Sequence, residues 1–373
     1  MRRKLRLAAA VLVVLLGVLA IVAIIERDWT SAQLRAIAIL SITEDVPVLA
    51  WTARVVTAEP RVEETTVGGA PSTVVRPDGA GPWPAIVFVN GATRRGRHHP
   101  KVQRLARGLA RTGFLVVVPD LPGLRLGEIT PATTAATIRV ARATADSPDA
   151  RARRVGFYGV SVGATLALLA AESRLLAGRV TVVGGEAPLV DLRRIIRLTT
   201  TGLYDGERYE TDPYASLAVA RSLAAGLPRG PQRSRLLAAL ESVDDDDPGP
   251  LARVRPAEYR GTAAALLRLL KNRDSRRFAG LYAHLPARQR AAIMALSPLS
   301  GADRLRMPVE LVTAPHDKYF PPAESHALAR AAPDVRVTTT STLEHAVPKI
   351  SLGDVADLGR FDGFMIRYLR LAD

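Results

Sequence analysis

The chain has 373 residues, no cysteine, and a formal net charge of +15 from 51 Lys and Arg against 36 Asp and Glu. The missing cysteines exclude disulfides, thiolate metal sites and a cysteine nucleophile. The charge does not argue for nucleic acid: lysine occurs only at 4, 101, 271, 318 and 349 in an arginine- and alanine-rich chain, and no basic stripe is interleaved with aromatics.

Hydrophobic residues make up 48% of the sequence, enough for one large α/β domain with an insertion, or for two domains. The chain opens on a basic cluster, Met1-Arg-Arg-Lys-Leu-Arg6, followed by nineteen uncharged, mostly apolar residues at 7–25. A helix crossing a bilayer core needs about 20 such residues, whereas a secretory signal has a shorter core of about 7–15 and a small-x-small cleavage site. No persuasive site of that kind follows Ile25. The segment 1–28 therefore reads as an uncleaved signal anchor, with a cleaved signal peptide as the alternative. Positive charge before the span places the N-terminus in the cytoplasm and the bulk of the chain outside. Residues 29–61 read as a juxtamembrane linker with one packed helix. In an alternative reading, Trp29 and Trp51 sit at the membrane interface and residues 34–40 lie along it.

Residues 62–67 and 72–76, separated by Gly68-Gly69-Ala70-Pro71, predict a hairpin. Buried strands follow at 85–89 and 114–118, with helices at 102–111 and 133–145. A short strand at 154–158 runs into Gly159-Val160-Ser161-Val162-Gly163, and strong helix formers follow from Ala164. A strand turning sharply into a helix at a serine is the nucleophile-elbow pattern: it exposes the hydroxyl beside the free N–H groups of the helix start. A further strand at 179–183 continues the alternation. Continuous apolar strands alternating with helices predict a parallel sheet covered on both faces.

Residues 189–300 show no convincing strand and several helices broken by prolines, and read as a helical cap. The acidic run 244–247 reads as a solvated turn without calcium-loop spacing. The alternation resumes with a strand at 309–313, then Pro315-His316-Asp317, a helix at 323–331, a strand at 335–340, His345, and a closing helix at 355–371. The core is thus expected at 62–188 and 301–373.

The elbow at 159–163, the acid loop at Asp317 and His345, in the order Ser, Asp, His, make residues 62–371 resemble the α/β-hydrolase superfamily of serine hydrolases. The resemblance implies Ser161 as nucleophile, His345 as general base and acid, and Asp317 as the group orienting the imidazole. Glu186 is the rival acid, because some family members place it after that strand. The implied oxyanion hole uses the backbone N–H groups of Val162 and Ala92. The loop 90–99 starts with Asn90-Gly91 where His-Gly is common, and resembles dienelactone hydrolase-like and related esterases, although those of the dienelactone type often use cysteine. Arg94, Arg95 and Arg97 offer an anion site or, more plainly, a solvated basic loop. The expected function is hydrolysis of a small-molecule or lipid carboxylic ester through an acyl-enzyme, at a cell membrane, with no cofactor, no metal and no nucleic-acid partner. An acyltransferase with the same triad and a non-catalytic binding member of the fold are the alternatives.

Overall fold

The computed structural model describes residues 27–241, 249–345, 347–348 and 355–373. The apolar run 7–25 and the acidic run 244–247 lie outside the described residues. Among those described, no helix is long and apolar enough to cross a membrane.

Two helices, α1 (Arg27–Glu44) and α2 (Pro47–Val56), precede the sheet. The linker expected at 29–61 is thus largely helical. Its helical signal is weak because the buried residues of α1, Ala32, Ala36, Ile39, Ser41, Ile42 and Thr43, include only two large apolar side chains, while Leu34 and Ile37 stay exposed and blur the period. Next come β1 (Arg61–Val67), β2 (Ala70–Arg76), β3 (Ala85–Val89), α3 (Pro100–Arg111), β4 (Leu115–Pro119), α4 (Pro131–Asp146), β5 (Val155–Val160), α5 (Val162–Ala171) and β6 (Val180–Glu186).

After β6 the chain is almost wholly helical. It carries α6 (Leu192–Thr201), a small hairpin of β7 (Leu203–Tyr204) and β8 (Glu207–Arg208), α7 (Pro213–Ala225), α8 (Pro231–Leu240), α9 (Gly249–Arg253), α10 (Gly261–Leu270), α11 (Ser275–Ala283) and α12 (Ala287–Ala295). The hairpin corrects the strandless reading of 189–300; two-residue strands about Asp205-Gly206 are too short to show a period. The sheet is completed by β9 (Val309–Thr313), α13 (Ala323–Ala331) and β10 (Val335–Thr339). A second small hairpin, β11 (Leu343–Glu344) with β12 (Val347–Pro348), and α14 (Val355–Ala372) follow.

The eight-stranded sheet runs β1-β2-β4-β3-β5-β6-β9-β10. The first two pairings, β1 with β2 and β2 with β4, are antiparallel, and the others are parallel. Strand alternation divides the apolar runs between two cores. Ala85, Val87 and Val89 of β3 face one core with α4 and α5, while Ile86 and Phe88 face the other with α1, α3 and α14. That two-sided burial is why β3, β4 and β5 read as unbroken apolar runs.

The second core brings the N-terminal helix against the C-terminal one. Gln33 Nε2 of α1 donates to Asp362 Oδ2 of α14 at 2.5 Å, and Arg35 pairs with Asp373 at 2.5 Å. A Cβ at Gly108 of α3 would lie 3.3 Å from the Ile39 Cα, so the small residue lets α1 and α3 approach closely.

The helical stretch is pinned to the sheet by a buried carboxylate. Glu324, at the start of α13, is fully buried. Its Oε2 accepts the N–H of Val190 at 3.0 Å and of Asp191 at 2.7 Å, and its Oε1 accepts the Tyr204 hydroxyl at 2.6 Å. Asp191 in turn caps α6, accepting the N–H groups of Arg193 and Arg194.

Candidate active site

Ser161 sits between β5 and α5 with φ 54° and ψ −124°, a strained conformation for a non-glycine residue. The turn is held by its own backbone: the Ser161 N–H donates to the Glu186 carbonyl at 2.7 Å, and its carbonyl accepts from the Ala164 and Thr165 N–H groups. The flanking glycines are required by space. A Cβ at Gly159 would stand 2.4 Å from the Ala164 Cα, and one at Gly163 would stand 2.1 Å from the Val89 carbonyl oxygen. Strand, helix and the neighbouring β3 meet here with no room for a methyl group.

The structure brings the other two expected residues to the hydroxyl. His345, at the tip of the β11–β12 hairpin with φ 58°, places Nε2 2.8 Å from Ser161 Oγ. Its Nδ1 lies 2.7 Å from Asp317 Oδ2. Asp317 is completely buried. Its other oxygen, Oδ1, accepts the N–H groups of Tyr319 and Phe320 at 2.8 and 3.0 Å, which fixes the carboxylate plane. The Tyr319 ring lies 4.5 Å and the Phe320 ring 5.8 Å from the imidazole, centroid to centroid. These aromatics were not singled out from the sequence; their signal is their place two and three residues after the acid. Tyr209, from the loop after β8, donates its hydroxyl to the Asp317 carbonyl at 2.5 Å, a contact no sequence pattern announces.

Glu186 is placed differently. It is the last residue of β6 and not a residue beyond it, and its side chain is bonded to Tyr158, whose hydroxyl donates to Glu186 Oε1. His345 Nδ1 is bonded to Asp317 instead. Burial pushes the Glu186 carboxyl up to about 7, against the Tyr158 hydrogen bond that pulls it down. A carboxyl whose native pKa exceeds its unfolded value binds more protons folded than unfolded. It therefore costs stability as pH rises from about 4.5 to about 7, and the cost is constant above that window. Glu186→Gln keeps an acceptor for Tyr158 and removes the titration. The variant is expected to gain on the parent through this window, by up to about 3 kcal/mol at alkaline pH. Urea unfolding of both proteins at either end of the window checks this; a difference that does not change with pH would refute it.

Val162 opens α5, so its N–H is among the four that the helix itself leaves unpaired. Ala92 follows β3 and lines the same cavity as Ser161 and Val162. Asn90, two residues earlier, is buried; its Nδ2 donates to the Gly91 carbonyl at 2.7 Å, and its Oδ1 is buried without a partner. The basic loop resolves partly. Arg97 is an anion site for neither substrate nor solvent, being paired with Glu64 of β1 at 2.9 Å and with Asp120 at 3.2 Å. His99 caps α3, its Nδ1 accepting the Lys101 N–H at 3.3 Å.

The cavity at Ser161 has a volume of about 550 Å³. Tyr214, Ala215 and Ala218 of α7 line it, with Tyr319 and Phe320. The lining also includes Phe88, Leu105, Phe361 and Met365, with Leu40, Thr43 and Glu44 from the end of α1. Its charged residues are mostly matched: Glu44 pairs with Lys101 at 3.1 Å, and Glu344 lies 3.7 Å from Lys318.

A family model described as X-Pro dipeptidyl-peptidase (S15 family) matches residues 71–325, well over half of the chain. The chain belongs to this family. It is a serine hydrolase of the α/β-hydrolase superfamily. Ser161 and Asp317 fall inside the matched residues and His345 beyond them. No curated protein sequence matches the chain. Among solved structures it is similar to an acylaminoacyl peptidase in complex with Z-Gly-Gly-Phe-chloromethyl ketone, at 13% identity over 84% of this chain and 40% of that one, with a TM-score of 0.47. It is also similar to Porphyromonas gingivalis dipeptidyl peptidase 4 (13% identity, 87% and 37% covered, TM-score 0.49). A hormone-sensitive lipase from a metagenome library gives 14% identity, 86% and 88% coverage, and a TM-score of 0.45. The chain thus spans about two fifths of the length of the two peptidases.

Proposed function

We propose that this S15-family chain is a membrane-anchored serine hydrolase that cleaves a carboxylic ester through an acyl-enzyme. The observation supporting it is the unbroken relay from Ser161 Oγ through His345 to Asp317, at 2.8 and 2.7 Å. In this reading His345 Nε2 takes the serine proton as Oγ attacks the ester carbonyl. The N–H groups of Val162 and Ala92 receive the developing oxyanion. The imidazolium, steadied by Asp317, then protonates the departing alkoxide. Water, deprotonated by the same imidazole, releases the acid and restores Ser161. The route draws on no metal or cofactor. Residues 189–300 act as a cap, a reading supported by the α7 side chains in the cavity wall. Residues 7–25 form a single span with the catalytic domain outside the cytoplasm, supported by the basic cluster at the N-terminus.

The family match favours a second substrate class, a peptide bond after an Xaa-Pro dipeptide. A free α-ammonium in the cavity needs an unpaired carboxylate. Glu44 and Glu344 stand beside lysines, and Glu186 is pushed towards its neutral form. Ester cleavage is therefore expected to prevail: kcat/KM for p-nitrophenyl acyl esters should exceed that for Xaa-Pro p-nitroanilides by about 100-fold or more. Faster turnover of the anilides would overturn the ester assignment and leave the triad standing.

A further inference from the structure

Helix α2 reverses the usual arrangement of a surface helix. It turns only Ala50 and Ala53 to the protein, while Val48, Leu49, Trp51, Val55 and Val56 are 73%, 50%, 65%, 63% and 73% exposed. Half of a ten-residue helix is thus large apolar side chain facing outward, where a globular helix would carry charge. The exposed apolar surface continues along α1, from Trp29 near its start through Leu34 and Ile37. What covers it is indicated by the chain before α1. Nineteen uncharged residues at 7–25, long enough for a bilayer span, end one residue short of the start of α1 at Arg27.

Resting on the anchor reading above, we infer that α2 lies in the interfacial layer of a lipid bilayer, with α1 running flat along the surface from the anchor to it. A tryptophan among aliphatic residues is the composition that settles at this depth, where the indole N–H keeps water or headgroup partners. The placement has a catalytic corollary. Leu40, Thr43 and Glu44, in the last turn of α1, line the cavity at Ser161, and α2 begins three residues later. The lipid surface would therefore lie beside the wall of the catalytic cavity, so that an ester held in the membrane could enter without crossing bulk water.

The absence of cysteine makes the test direct. In the full chain, Val55→Cys is labelled with a nitrobenzoxadiazole probe, and Arg288→Cys, exposed on α12, serves as the control. Each is reconstituted in phosphatidylcholine–phosphatidylglycerol vesicles, with and without lipids brominated near the headgroup end of the acyl chain. Flotation with the vesicles reports the anchor, and hydrolysis of a soluble p-nitrophenyl ester reports the intact catalytic domain. The brominated lipid is expected to quench the probe at 55 by about twofold or more and to leave the probe at 288 unchanged. Flotation without quenching at 55 overturns the placement of α2 and leaves the anchor standing; that result includes shielding by residues 7–25 or by a second copy. Equal quenching at both positions overturns it as non-specific insertion. Failure to float overturns both the anchor and the placement. None of these outcomes bears on the triad, which the soluble ester tests separately.

Discussion

Ser161→Ala is expected to abolish covalent labelling by a fluorophosphonate and to lower kcat by on the order of 10⁶. The effect is large because the other members of the relay have nothing to act on. His345 Nε2 is aimed at Ser161 Oγ, and the strained backbone at φ 54° holds that oxygen where the helix start points. The alanine variant should fold, since the backbone bonds to Glu186, Ala164 and Thr165 do not involve the hydroxyl. His345→Ala is expected to cost a comparable factor, because residues acting as one unit do not lose activity additively. Labelling of the alanine protein at an unchanged rate would remove Ser161 as nucleophile, and with it the acyl-enzyme.

Asp317→Asn is expected to lower kcat by about 10⁴-fold with little change in KM or fold. The asparagine carbonyl can keep the Tyr319 and Phe320 N–H groups now held by Oδ1. Its amide nitrogen then faces His345 Nδ1 as a donor, where the carboxylate was an acceptor. The imidazole answers by carrying its proton on Nε2. A protonated Nε2 cannot accept the proton of Ser161, so the chemical step fails while binding survives. The loss should shrink at high pH, where hydroxide assists deprotonation of the serine. Glu186→Gln is the control, expected to alter activity only mildly because that carboxyl bonds Tyr158 and not the imidazole. A mild Asp317→Asn with a severe Glu186→Gln would move the acid to the end of β6.

Much of the sheet was legible because burial on both faces leaves continuous apolar runs, as in 85–89 and 115–119. The elbow was legible because two helix–strand approaches too close for a Cβ force glycines two residues to either side of Ser161. The three polar residues were legible as chemistry, but their meeting was not, since it depends on how far β9, α13 and β10 carry the chain between Asp317 and His345. Other features left no periodic signal. Glu324 reads as an ordinary glutamate on a helix, and only the fold shows it buried under the Val190–Asp191 turn. Tyr209 reads as a loop aromatic. The interior face of α1 is built from two alanines, a serine, a threonine and only two isoleucines, whose spacing carries little weight against the exposed Leu34 and Ile37. Glu186 was read as lying beyond the strand because the apolar run stops at Val183, whereas β6 continues three residues further through Gly184-Gly185, pairing Glu186 with Val312 of β9.

The clamp between α1 and α14 has a consequence for how the chain is made. Gln33 and Asp362 are 329 positions apart, yet they bond to each other. At ribosomal speeds of about 5–20 residues per second, α1 emerges many seconds before its partner. During that interval Ala32, Ala36 and Ile39 have only part of their shelter, and the second face of the sheet lacks its α14 cover. A chain held at the bilayer by residues 7–25 would spend that time beside an apolar phase, with the unfinished face of α1 able to rest there. Synthesis without a membrane removes that refuge. The expected result is a yield of folded protein limited by aggregation before α14 docks, and not by the stability of the finished fold.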